Sequence, residues 1–149
     1  MKKIILKPGE ISLSTLRAIS RQHIPIALPA AAYKKMAASK KVVDDIISDG
    51  RVVYGINTGF GILAKVRITE YKFETLQRNI VLSHATGVGK FLKDDVVRLV
   101  LLLKINALSQ GYSAVRREIV DFLIELYNKE IYPCIPEKGS WDFRSTRAW

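Results

Sequence analysis

Along most of this chain apolar residues recur at steps of three and four, the period of an α-helix with one buried side. Between residues 29 and 50, Tyr33, Met36, Val43 and Ile47 fall on one side, with Pro29 suited to a first helical turn and Gly50 placed past the end. Between 115 and 128, Val115, Ile119, Phe122 and Leu126 are expected to face inward, and Arg116, Arg117 and Glu118 mostly outward. A shorter helix is expected after Ser14, whose hydroxyl would cap it, with Leu16 and Ile19 opposite Arg17 and Arg21. Thr69 opens a further pattern in which Phe73, Leu76 and Ile80 share a side with Ser83 and His84. Two polar groups thus follow an apolar stripe on the same side.

The stretch 94–110 departs from this amphipathic plan. It is apolar nearly all round, with Val96, Leu99, Leu103 and Leu108 among many, so it must be wrapped by other elements until Gly111 ends it. Extended backbone is expected in three short places. These are 3–6, stopped by Pro8-Gly9; 23–26, where Pro25 excludes a helix and a pairing with 3–6 is expected; and 131–135. His23 then falls in a connector, nearer the surface than a site. The expected architecture is mostly α-helical, with short β pieces near the N-terminus and around residues 131–135.

Composition narrows the class. At 149 residues, 48% of them apolar, one domain with a real core is expected. A net charge of +10, from 24 basic and 14 acidic residues, would suit nucleic acid. The doublets Lys34-Lys35, Lys40-Lys41 and Arg116-Arg117 are scattered, however, without interleaved aromatics, and read as solvated helix faces rather than a base-stacking surface. The single Cys134 excludes an internal disulfide, and there is neither a signal peptide nor an apolar run long enough to span a membrane, so a reducing cytoplasm is expected. Gly87-Val88-Gly89-Lys90 fails as a phosphate loop, since His84 stands where its first glycine belongs and Phe91 where Ser or Thr must follow the lysine. No metal site is expected.

The candidate chemistry starts at Tyr54-Gly55-Ile56-Asn57-Thr58-Gly59-Phe60-Gly61, where three glycines in eight residues describe a shaped loop. A phenol acts as acid or base only when its surroundings lower a pKa that rests at about 10 in water. Taken alone, the stretch reads more readily as a glycine-rich connector with a packed tyrosine. It resembles, however, the tyrosine-bearing loop of the histidine ammonia-lyase family. Three further blocks match that family in order: Leu76-Gln77-Arg78-Asn79-Ile80-Val81-Leu82-Ser83-His84-Ala85-Thr86-Gly87-Val88-Gly89, Lys104-Ile105-Asn106-Ala107-Leu108-Ser109-Gln110-Gly111-Tyr112-Ser113, and Tyr132-Pro133-Cys134-Ile135-Pro136-Glu137-Lys138-Gly139-Ser140.

The resemblance implies the N-terminal helical part of the ammonia-lyase fold over residues 1–140. It implies elimination of ammonia from L-histidine to give urocanate, through a methylidene-imidazolone cyclised from an Ala-Ser-Gly tripeptide, in a homotetrameric enzyme much longer than this chain. Tyr54 matches the family's base. Ser83 and His84 match substrate-pocket positions, where a hydroxyl and an imidazole can hydrogen-bond the ring nitrogens of histidine. Gly55, Asn57, Thr58, Gly59 and Gly61 are given loop-shaping roles. After Ser140 the likeness stops: the family continues Val-Gly-Ala-Ser-Gly-Asp-Leu-Ala-Pro, and Phe143-Arg144-Ser145 would occupy the place of the tripeptide. Codons for 141–149, shifted by one nucleotide, permit a sequence close to the family's, so an out-of-frame tail and an inactive piece are expected. The alternatives are a small basic helical module that binds nucleic acid or protein, and a non-catalytic partner of full-length lyase subunits.

Overall fold

A computed structural model of the chain describes residues 3–54, 56, 58, 73–84 and 86–139. Strand β1, Ile4–Ile5, runs into a turn at Pro8-Gly9, where Gly9 takes φ 87° and donates its N–H to Asn106 Oδ1 at 2.9 Å. Helix α1, Leu13–Arg21, follows. Its cap is Ser12 and not Ser14. Ser12 has the extended backbone a cap needs, and its Oγ accepts from the Thr15 N–H at 3.2 Å, whereas Ser14 already lies inside the first turn. Strand β2, Ile26–Ala27, pairs in parallel with β1 in the register Ile4↔Ile26, so the expected meeting of the two N-terminal pieces occurs.

Helix α2, Ala30–Ser48, is bracketed by Pro29 and Gly50 as its sequence suggests, with Met36 buried and Tyr33 half-buried. Helix α3 is described over Phe73–His84; Thr69 lies outside the described residues. Strand β3, Gly87–Phe91, is followed by α4, Asp94–Leu108, and α5, Arg117–Asn128, and then by β4, Pro136–Gly139. The extended piece expected around 131–135 is therefore a strand beginning at Pro136, paired antiparallel with β3. The fold is mostly helical with short strands, as expected.

Helix α4 is central. Val97, Leu101, Leu102, Ile105 and Leu108 are buried, with α1 and α5 packed against the helix. Asp94 and Asp95 in its first turn complement the positive end of its dipole. Past its end, Gly111 takes φ 83° where the chain meets α2; a Cβ there would stand 2.9 Å from the Lys35 carbonyl carbon. Two tethers fix α1 to the rest: Arg98 donates to the carbonyls of Ile19 at 3.2 Å and Ser20 at 3.4 Å, and through Nε to the Tyr132 hydroxyl at 2.9 Å.

Helix α5 bears out the expected inward face at Val115, just before it, and at Ile119, which pack in and against the core, and corrects it farther along. Val120 and Tyr127 are fully buried, while Phe122 is 57% exposed and Leu126 only half-buried. The helix is rolled by what its C-terminal end must hold. The Tyr127 hydroxyl donates to the Ile24 carbonyl at 3.1 Å, and the Asn128 side chain clasps Ile26, accepting from its N–H at 2.8 Å and donating to its C=O at 3.0 Å. His23 does lie in the connector between α1 and β2, but it is half-buried and tied down rather than at the surface: its Nε2 lies 3.1 Å from the Tyr127 carbonyl and its Nδ1 3.5 Å from Glu130 Oε1. At the other end of α5, the Tyr33 hydroxyl donates to Asp121 Oδ1 at 2.6 Å and Arg117 Nε to Asp121 Oδ2 at 3.0 Å, stapling α2 to α5.

Candidate functional site

Past α2 the chain turns at Gly50, φ 66°, and delivers Arg51, whose guanidinium sits 3.2 Å from Asp49. Tyr54 is exposed. A turn closes there, with the Ile56 N–H donating to the Val53 carbonyl at 3.1 Å, and Thr58 is already fully buried. Tyr54 is thus at the surface and Thr58 in the interior. Gly55, Asn57, Gly59 and Gly61 lie outside the described residues.

Helix α3 carries the other two candidates. Leu76 is half-buried, and Leu82 and Ser83 are exposed near its C-terminal end. His84 closes the helix, and its side chain lies outside the described residues, as do those of Phe73 and Ile80. Of the pair Ser83-His84, the structure thus describes the side chain of Ser83.

Directly after α3 comes a pairing that the sequence did not disclose. Gly87 pairs with Gly139 and Val88 with Lys138, with a register irregularity before Phe91↔Pro136, and the Leu92 N–H donates to the Ile135 carbonyl at 2.8 Å at the foot of the ribbon. The glycines are required by contact. A Cβ on Gly139 would stand 2.4 Å from the Thr86 carbonyl oxygen, and one on Gly87 would stand 2.6 Å from Pro136 Cγ. The end of β4 is therefore pressed against backbone that leaves α3 only two residues after His84. The signal was the matched glycines at 87 and 139, but nothing local states that they face each other.

Elsewhere, a cleft of about 470 Å³ lies between α2 and the start of α5, lined by Tyr33, Met36, Lys40, Val115 and Arg116 among others. Burial first, and then the hydrogen bond to Asp121, push the Tyr33 phenol up to about 12, so it is a structural donor and a poor base. Several cations near this cleft already have intrahelical partners: Lys40 with Asp44, Lys41 with Asp45, and Arg117 with Asp121. Among the described residues no three His, Cys, Asp or Glu gather where they could hold a metal ion, and no helix is long and apolar enough to cross a membrane.

A helical array led by a paired-strand N-terminus, with a tyrosine loop after its second helix and a glycine-closed ribbon after its third, is the architecture of the ammonia-lyases and their aminomutase kin. Residues 11–141 match the profile of the aromatic amino acid lyase family, and the chain belongs to that family. Among individual proteins, it is 51% identical over 140 residues to the histidine ammonia-lyase of Vibrio cholerae and 55% identical over 140 residues to that of Idiomarina loihiensis. Each alignment covers 94% of this chain and 27% of the relative, so the chain spans about a quarter of the length of these curated relatives. Among solved structures, histidine ammonia-lyase from Trypanosoma cruzi superposes with a TM-score of 0.83 at 32% identity, over 93% of this chain and 27% of that one. The phenylalanine aminomutase of Pantoea agglomerans gives 0.82 at 36% identity, over 98% and 28%.

Proposed function

We propose that this chain carries one part of the site of a histidine ammonia-lyase, with Tyr54 as the base and Ser83 and His84 recognising the imidazole of L-histidine, and that by itself it does not turn substrate over. The observation that carries this is the Gly87↔Gly139 register, which sets the end of β4 beside the exit of α3. In the family it resembles, the stretch after β4 leads to the cofactor tripeptide, so the ribbon would bring that stretch next to the Ser83-His84 pair. A hydroxyl and an imidazole in such a pocket favour a ring with nitrogens over a benzene ring, because polar groups left without partners would cost about 1–3 kcal/mol each. The exposed Tyr54, on a loop anchored by buried Thr58, suits a base that closes over substrate and excludes water.

The residues present do not fit the cofactor. No Ala-Ser-Gly occurs anywhere in the 149 residues, and Phe143-Arg144-Ser145 cannot form the ring in its place. A shift of reading frame after residue 140 explains the tail at 141–149, and sequencing of the DNA there is expected to reveal an alternative frame close to Ser-Gly-x-Leu-Ala-Pro. The functional test is a chimaera: residues 1–140 of this chain followed by the remainder of the Vibrio cholerae enzyme, assayed by the absorbance of urocanate. The chimaera is expected to be active and the 149-residue chain inactive. Tyr54→Phe in the chimaera is expected to lower kcat by about 10²–10⁴-fold; full activity in that variant removes Tyr54 from the role of base, and steady turnover by the 149-residue chain overturns the inactivity.

A further inference from the structure

The turn that ends α5 places a glutamate where backbone geometry favours glycine. The Ile131 N–H donates to the Leu126 carbonyl at 2.9 Å and the Glu130 N–H to the Tyr127 carbonyl at 3.2 Å, the pair of bonds that closes a helix through one residue in the left-handed region. That residue is Glu130, at φ 55°, a conformation in which a Cβ is strained and glycine is not. Its carboxylate has a partner across the fold. Glu130 Oε1 lies 3.5 Å from Nδ1 of His23, whose side chain is only 12% exposed and whose ring is tilted against that of Tyr127 with the centroids 5.4 Å apart.

Both nitrogens of this imidazole face oxygens that accept: Nε2 the Tyr127 carbonyl, Nδ1 the Glu130 carboxylate. A neutral imidazole has one N–H and leaves one of the two unanswered, whereas an imidazolium donates towards both. The C-terminal end of α5 adds the negative end of a helix dipole. The other charges to be weighed are Arg21, two residues before His23; Lys129, which is paired with Glu125; and Arg98 of α4, held by the carbonyls of Ile19 and Ser20 and by the Tyr132 hydroxyl. Arg98 acts on both Glu130 and Tyr127, so it competes with the imidazolium for the same carboxylate and limits the effect without cancelling it.

We propose that His23 and Glu130 form a proton-operated latch between the N-terminal connector and the end of α5. With the imidazole protonated, residues 22–25 are locked to α5 and the segment 130–135 that leads into β4 is held. With the imidazole neutral, the lock loosens and the strained turn at Glu130 loses its compensation. Imidazoles ordinarily change charge between about pH 5 and 8, so the stabilisation is present at the acid end of that range and is lost as pH rises through it.

Unfolding midpoints of the 149-residue chain and two variants decide the matter, measured at pH 5.5, where carboxylates ordinarily remain ionised, and at pH 8.5. His23→Gln keeps a donor for the Tyr127 carbonyl but takes no charge, and is expected to lower the midpoint by at least about 3 °C more at pH 5.5 than at pH 8.5. Glu130→Gly relieves the turn and removes the carboxylate together, so its effect is expected to change sign: a midpoint above the parent's at pH 8.5 and below it at pH 5.5. A His23→Gln deficit that is equal at the two pH values overturns the proposal, and so does a Glu130→Gly midpoint that moves the same way at both. Neither residue has a part in the lyase chemistry proposed above, so the outcome stands apart from that reading.

Discussion

At Gly139 the difference between a hydrogen and a methyl decides whether two strands can touch. With the Thr86 carbonyl oxygen 2.4 Å from where a Cβ would sit, Gly139→Ala must push the strands apart, and Gly87→Ala meets Pro136 in the same way from the other side. Each is expected to cost about 1–3 kcal/mol and to raise amide exchange at Val88 and Lys138 while the helices stay protected, as measured by NMR. Buried phenols make a second prediction. Tyr33 and Tyr127 are both raised to about 12, Tyr33 by burial and then Asp121, Tyr127 by burial first. A phenol whose folded pKa lies above its unfolded value stabilises the fold fully below about pH 10, and that contribution is lost as pH rises towards 12. A spectrophotometric titration at 295 nm is therefore expected to show two of the six tyrosines ionising late. Leu102→Ala, at a fully buried position, is expected to cost about 2–5 kcal/mol in chemical denaturation.

Among the elements, the five helices of the described residues were all legible in the sequence, four from helical periodicity and α4 from its nearly continuous apolar run. Periodicity was less informative about direction. Around α5, Val115 and Ile119 of the expected stripe do face the core, but farther along Val120 and Tyr127 take the place of Phe122 and Leu126, and what turns that end is a set of polar contacts that no periodicity reports. The cap of α1 was misplaced by two residues because Ser12 and Ser14 are equally suitable as side chains, and only backbone conformation separates them. At the candidate site, Tyr54 and the Ser83-His84 pair stood out through family motifs, while the Gly87↔Gly139 register was hidden because it joins residues some fifty positions apart. These contacts rank the elements energetically. Ser12→Ala is expected to cost about 1 kcal/mol, since water can replace an exposed cap. Asn128→Ala is expected to cost more, about 1–3 kcal/mol, since both backbone groups of fully buried Ile26 lose their partner. Urea unfolding of the two variants side by side checks the order.

For the whole molecule, Val96 and Leu103 of α4, 40% and 47% exposed, add to an uncovered ribbon, on which Val88 and Phe91 are each 65% exposed. Apolar surface of this kind is expected to bind hydrophobic dyes and to draw chains together weakly as concentration rises, whereas a sharp monomer peak without dye uptake would contradict it. The charge of +10 opposes such association at low salt, so raising the ionic strength is expected to promote it. The ties between the two ends of the chain have a consequence for its synthesis. Gly9 is held by Asn106, His23 by the carbonyl of Tyr127 and Ile26 by Asn128, spans of 97, 104 and 102 residues. A ribosome adding about 5–20 residues per second must therefore work for roughly 5–20 s after the first strands emerge before it produces the helix that secures them. Through that interval the two N-terminal strands have each other but none of the helices that cover and secure them, and they are the stretch a chaperone would meet first.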